Sequence, residues 1–179
     1  MKFGLIGHPI EHSLSPALFK AGYGGKYPYD LIITKDFEEA YRRFLDGYDG
    51  INVTAPFKEL ALRHADIISE ECRLAGAANI LIKTPQGITA YNSDFRGLVA
   101  MFRGLKGGEK TVLIVGAGGA GKAAKAAAEA LGYVTTAATQ RQLPIYSVQR
   151  DHKVCALSFD AALTPFSVLI RYQTRGFCS

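Results

Sequence analysis

Thr111-Val112-Leu113-Ile114-Val115-Gly116-Ala117-Gly118-Gly119-Ala120-Gly121-Lys122 is the stretch on which the fold of this chain turns. The apolar, β-branched run Thr111 to Val115 is strand-length and ends in glycine, so it reads as a buried strand. Gly116, Gly118 and Gly121 then fall at GxGxxG spacing. In a strand-turn-helix context the first makes a tight turn, the second lets backbone approach a phosphate and the third lets the helix pack closely. An Ala-rich helix from about Ala120 to Leu131 follows, stopped by Gly132, and Tyr133 to Ala138 reads as the next strand. A helix starting this way offers free N–H groups and a positive dipole end to an anion. Gly116, Ala117, Gly118, Gly119, Ala120 and Gly121 are therefore the cofactor-binding candidates, for a dinucleotide.

The same residues with Lys122 spell GxxxxGK, the beginning of a P-loop. That motif needs Ser or Thr next, to bind magnesium, and Ala123 stands there. No downstream run ending in a magnesium-binding Asp accompanies it, which leaves a P-loop nucleotidase as a third-ranked reading.

Toward the N-terminus, short β-type runs alternate with helical patterns, as in parallel βαβ units. Lys2 to Ile6, Tyr29 to Thr34, Gly50 to Thr54, Asn79 to Thr84 and Ile88 to Tyr91 read as strands. Asp36-Phe37-Glu38-Glu39 opens a helix through Leu45, Phe57 to about Ala65 forms a second, and Ser69-Glu70-Glu71 starts a third. Thr84-Pro85-Gln86-Gly87 is a turn between two runs that pair as a hairpin. Phe95 to Arg103 is helical and leads into Gly104-Leu105-Lys106-Gly107-Gly108-Glu109, the clearest domain boundary. Lys153 to Phe159 and Phe166 to Tyr172 have strand character, without a convincing helix between them.

Three polar motifs sit just beyond apolar runs, where a βα unit binds ligands. They are Gly7-His8-Pro9-Ile10-Glu11-His12-Ser13-Leu14-Ser15-Pro16, Asn52-Val53-Thr54-Ala55-Pro56-Phe57-Lys58 and Asn92-Ser93-Asp94. Oxidising a secondary alcohol requires a base beside the hydroxyl as hydride leaves the carbon, and Lys58 and Asp94 are the candidates for this catalytic pair. A cation in a helix's first turn opposes the dipole, which favours a ligand role for Lys58 over a merely solvated one. The plain alternative for Asp94 is N-cap of the helix at Phe95, and for Ser13 and Ser15 it is capping of a helix begun by Pro16.

Composition excludes several classes. With 48% hydrophobic and 21% charged residues the chain is an ordinary globular one. Its net charge of +5 is mild; residues 140 to 179 carry 5 basic and 2 acidic groups against 16 and 14 before them. No dense basic run with aromatics points to nucleic acid. Cys72, Cys155 and Cys178 lack CxxC spacing and read as free thiols in a reducing cytoplasm. The four histidines lack metal-ligand spacing, so no metal site is expected. Neither a signal peptide nor a bilayer-spanning run is found.

In order and spacing, the three motifs followed by the glycine turn resemble the shikimate dehydrogenase family, over nearly all of residues 1 to 131. The resemblance implies an α/β protein with a substrate-binding domain over residues 1–104, a partial Rossmann-like NAD(P)-binding domain beginning at 105–140, and a divergent tail over 141–179. It implies NADP-dependent interconversion of shikimate and 3-dehydroshikimate, on the route to chorismate and the aromatic amino acids. Lys58 is then the main acid/base residue with Asp94 its partner. Ser13 and Ser15 bind the substrate carboxylate, and Thr54, Asn79 and Asn92 bond its carboxylate or ring hydroxyls. Asn79 lies in Gly76-Ala77-Ala78-Asn79-Ile80, where the family more often has Gly-Ala-Val-Asn-Thr. Quinate stays open as a second substrate.

The cofactor reading rests on Thr136-Ala137-Ala138-Thr139-Gln140-Arg141, which holds no acid to bond a ribose 2′-hydroxyl and one cation, favouring NADP. Arg141 is the candidate for the 2′-phosphate. Relative to the family's Asn-Arg-Thr, Thr139 and Gln140 take the first two places and Arg141 comes one residue late. No motif in residues 140–179 marks the place of the family's later Gln and Tyr, which reach the substrate. That tail reads as an altered frame or a foreign end. A half-built nucleotide sheet would leave strand edges bare, so self-association, a homodimer at its simplest, is expected. The leading alternative in function is an inactive substrate-binding piece of the family.

Overall fold

Two sheets carry the molecule, which the computed structural model describes over residues 1–105, 110–138, 154–158 and 167–172. In the first, β1 (Phe3–Gly7) is a central strand. After it, α1 (Ser15–Tyr23) leads to β2 (Tyr29–Ile33), and α2 (Phe37–Gly47) leads to β3 (Gly50–Val53). Both flanking strands run parallel to β1, with Ile6 opposite Ile32 on one side and Val53 on the other. Short α3 (Lys58–Arg63), β4 (Ile67–Ile68) and α4 (Glu70–Ala75) precede a hairpin of β5 (Ile80–Thr84) and β6 (Gly87–Tyr91). The strand order is β2-β1-β3-β5-β6-β4.

The expected hairpin forms, with β5 antiparallel to β6, and the expectation of parallel units fails where β5 also runs antiparallel to β3. The hairpin follows from the short turn after Thr84, because a two-residue link cannot supply the crossover that parallel neighbours require. β6 is thereby restored to the direction of β1 and β3. The two-residue β4, parallel to β6, escaped the sequence reading because it is too short for a periodic signal.

Helix starts follow local chemistry. Asp36 caps α2, accepting from Glu38 N at 2.9 Å and Glu39 N at 3.3 Å. The second helix is trimmed to Lys58–Arg63, and the third runs over Glu70–Ala75 with Ser69 at its N-cap position. Phe44, Ile6, Ile32, Ile51 and Leu81 fill the core of this first unit.

α5 (Ser93–Gly104) turns away from the first sheet to a second layer. There β7 (Lys110–Val115), α6 (Gly119–Ala130) and β8 (Val134–Ala138) form the expected unit, with β7 and β8 parallel. Leu98 and Phe102 of α5 pack with Ala75 of α4, with Val112 and Ile114, and with Ala123, Ala124, Ala127 and Ala128 of α6. Tyr133 also donates its hydroxyl to Phe102 O at 3.0 Å.

β9 (Val154–Ser158) and β10 (Ser167–Tyr172) agree with the strand character of the tail, and the second sheet runs β8-β7-β10-β9. β10 lies antiparallel on β7. In a doubly wound nucleotide sheet the first strand has parallel neighbours on both sides, so this is a departure from that plan. It also covers the edge of β7 that a half-built sheet was expected to leave bare. Thr139, Gln140 and Arg141 lie outside the described residues, as does the rest of the 141–179 tail apart from these two strands.

Phe102 is 1% exposed and Leu18, on α1, is 70% exposed. Phe102→Ala is expected to lower stability by about 3–5 kcal/mol. Leu18→Ala should change it by less than about 0.5 kcal/mol. Urea unfolding of the two variants beside the parent chain measures both.

Candidate active site

Four strand ends meet along one edge of the first sheet and are laced together by backbone bonds. Thr54 N donates to Ile6 O at 2.9 Å and His8 N to Ala55 O at 3.1 Å, joining the ends of β1 and β3. Val53 N donates to Asn79 O at 2.8 Å and Asn79 N to Tyr91 O at 3.1 Å, extending the row across β5 to β6. Because β5 is reversed, its beginning rather than its end lies at this edge. That reversal brings Asn79 to the residues that follow β3 and β6.

Lys58 is the first residue of α3, just after the cis Ala55–Pro56 bond, and its carbonyl accepts from Ala78 N at 2.9 Å. Asp94 lies in the first turn of α5. Lys58 Nζ donates to Asp94 Oδ2 at 2.6 Å, with the two side chains 13% and 28% exposed. This is a half-shielded, charge-assisted contact, stronger than a neutral hydrogen bond. Asp94 is not the cap of its helix. That part belongs to Asn92, whose Oδ1 accepts from Phe95 N at 3.0 Å while its Nδ2 donates to Ala77 O at 2.8 Å. Asn92 is fully buried, so its amide ties β6, α5 and the residues before β5 into one frame.

Asn79, 8% exposed, forms a two-bond pair with Ser93: its Nδ2 donates to Ser93 Oγ at 2.9 Å and its Oδ1 accepts from Ser93 N at 2.9 Å. Thr54 is equally buried at the end of β3. Ser13 and Ser15 face each other, with Oγ to Oγ 3.1 Å and Ser15 N donating to Ser13 Oγ at 3.2 Å. The N-cap position of α1 is Leu14, which makes no side-chain cap bond; of the two serines, Ser13 takes a capping part, since its Oγ accepts from the N–H of Ser15, the first helical residue.

Two residues stand outside those singled out by sequence. Tyr29, at the start of β2, donates to Asn52 Oδ1 at 2.9 Å. Burial pushes the Tyr29 phenol up to about 12, with a hydrogen bond to Ser15 offsetting part of the rise. A phenol of β2 therefore joins the first motif to the second, a link that only the parallel pairing of β1 with β2 and β3 creates. Glu59 is the other: Lys122 Nζ donates to its Oε1 at 2.6 Å, and the ammonium holds the Glu59 carboxyl below the usual carboxylate range.

The glycine turn fits a phosphate group. Gly116 has φ 126°, open only to glycine, and a Cβ on Gly121 would collide with Gly116 O. Gly118 leaves the start of α6 without a side-chain cap. Ala117 and Ala120 complete the turn. Lys122 is engaged by Glu59, and the hydroxyl that a P-loop needs next to it is absent at the fully buried Ala123. Among the described residues no group of three or more His, Cys, Asp or Glu is arranged to hold a metal, and no helix is long and apolar enough to cross a membrane. Cys72 is a buried free thiol.

Because the folded phenol of Tyr29 titrates near 12 against an ordinary 10.0, the unfolded chain loses its proton first. Stability should fall as pH rises from about 10 toward 12. Tyr29→Phe should flatten that part of the decline, as read by denaturant unfolding across the alkaline range.

Comparison with known proteins matches the shikimate dehydrogenase substrate binding domain to residues 5–81. An NADP(+) shikimate dehydrogenase of Acidiphilium cryptum is 33% identical over 184 residues, an alignment covering 97% of this chain and 67% of that protein. The likeness to this relative therefore runs past Leu131, where the sequence motifs fade. The crystal structure of shikimate dehydrogenase from Thermotoga maritima superposes with a TM-score of 0.66 at 32% identity, over 79% of this chain and 57% of that one. The Thermus thermophilus enzyme in complex with NADP(H) and shikimate gives 0.67 at 29% identity, over 78% and 56%. The chain thus spans between about half and two thirds of the length of these relatives. With two thirds of that first relative matched at 33% identity, the chain belongs to the shikimate dehydrogenase family.

Proposed function

We propose that this chain is an NADP-dependent shikimate dehydrogenase, interconverting shikimate and 3-dehydroshikimate on the route to chorismate. The observation that carries the reading is the 2.6 Å contact of Lys58 with Asp94, beside the sheet edge that carries Thr54 and Asn79. In the oxidative direction the Lys58 amine takes the hydroxyl proton of the substrate as the adjacent carbon gives up its hydride. In the reductive direction it returns that proton to the oxygen. Asp94 holds the amine in place and balances its charge when protonated. Ser13 and Ser15 bind the substrate carboxylate, while Thr54, Asn79 and Asn92 set the position of the carboxylate or ring hydroxyls. Asn92 does so at least by fixing the start of α5.

The residues of the turn Gly116 to Gly121 would hold the pyrophosphate of NADP, and the cofactor when bound accepts or supplies the hydride. Arg141 is assigned to the 2′-phosphate on the sequence argument alone. The division at residues 104 and 105 is kept as the boundary between substrate and nucleotide parts, with the tail from 141 as a separate segment. A cytoplasmic setting suits the buried free thiol of Cys72, and a homodimer is the proposed assembly.

The antiparallel β10 beside β7 favours a second reading, a substrate-binding piece that does not turn over. Shikimate-dependent reduction of NADP, followed by absorbance, separates the two. Turnover is expected, and Lys58→Ala should lower kcat by about 100-fold or more. Saturable shikimate binding by calorimetry without turnover, from folded protein, would replace the first reading with the second. No binding of shikimate at all would overturn both.

A further inference from the structure

Lys58 and Glu59 open α3, and Gly119 and Lys122 lie in the opening turn of α6, so two helix starts meet across 63 residues of sequence. Lys122 Nζ reaches Glu59 Oε1 at 2.6 Å. Beside it, the stem of Lys58 crosses Gly119 so closely that a Cβ there would lie 2.9 Å from Lys58 Cδ and 3.1 Å from Lys58 Cβ. The glycine turn is thus pressed against the residue proposed to move the proton.

Elsewhere α6 rests on α4 and α5 through Ala123, Ala124, Ala127 and Ala128. That contact lies along the body of α6, beyond its first turn. The Glu59 and Lys122 side chains are 44% and 43% exposed, and a pair of that kind contributes little to stability. Its effect is on geometry: it pins the end of α6 that faces Lys58.

We propose that Glu59 and Lys122 form a positioning clasp, holding the glycine turn against the Lys58 stem and so setting the distance between the acid/base amine and the cofactor. Neither residue touches reacting atoms. The clasp rests on the reading of Lys58 as the acid/base residue, and a readout independent of turnover keeps the two separable.

The variants are E59Q, K122Q and the charge swap E59K/K122E, each in the full chain. In shikimate-dependent NADP reduction, each single variant should lose about tenfold in kcat with the KM for shikimate within about twofold, because misplacement rather than binding is affected. The swap should recover most of the loss. Independently, an amine-acylating reagent followed by peptide mass spectrometry reports on Lys58, whose side chain is 13% exposed beneath Gly119. Lys58 should be modified several-fold faster in E59Q and K122Q than in the parent, and at near the parent rate in the swap. Equal labelling in all four proteins would overturn the clasp. So would a loss of kcat in the swap as large as in the singles, which would mean that each charge acts alone. A parent chain without turnover would sink the functional reading, and the labelling comparison would still decide the clasp.

Discussion

The reversed strand β5 is the constraint on which the arrangement of this molecule depends. Wedged antiparallel between β3 and β6, it lets three strands end, and one begin, at a single edge. Every polar group proposed to meet the substrate is delivered from that edge or from the helix turns just past it. Were β5 parallel, Asn79 would sit at the far end of the sheet, about 17–20 Å away for a strand of ordinary length, and its paired bonds with Ser93 could not form. The direction of one five-residue strand therefore decides whether the second and third motifs can belong to the same site.

Small side chains give the second constraint. Four alanines on one side of α6 allow it to lie close to α5, where Phe102 and Leu98 fill the remaining space. Close approach also brings the glycine turn to Lys58, a contact that any larger residue at Gly119 would push apart. Packing and site geometry are consequently coupled: the residues that let the helices approach also place the glycine turn beside the lysine–carboxylate pair.

Much of this was legible in the sequence because its signals are local. The glycine turn, the hairpin at Thr84 to Gly87 and the cap at Asp36 each follow from residues within a few positions of one another. The pairing of Lys58 with Asp94 was also legible, because an amine and a carboxylate both stood at helix starts that the motifs identified. What escaped depends on long-range register. Tyr29 and Asn52 meet across two strand pairings, and Glu59 meets Lys122 only when α6 docks. The choice between Asn92 and Asp94 as cap of α5 turned on a backbone shift of two residues, which composition does not resolve. The antiparallel seating of β10 carries no local mark, because a strand's sequence does not state its direction.

Helix α1 buries none of its side chains, yet it carries Ser15 in its first turn and is preceded by Ser13. It is held mainly by Phe19, whose ring lies 5.2 Å from that of Phe3 and 4.6 Å from that of Tyr29. A segment with so little buried area opens locally at a much lower free energy than the sheet beneath it. The serines proposed to bind a carboxylate thus ride on a weakly secured helix. The apparent affinity of such a site is scaled by the fraction of time that α1 is docked, so a carboxylate held there would also be the missing tie that fastens this helix to the sheet.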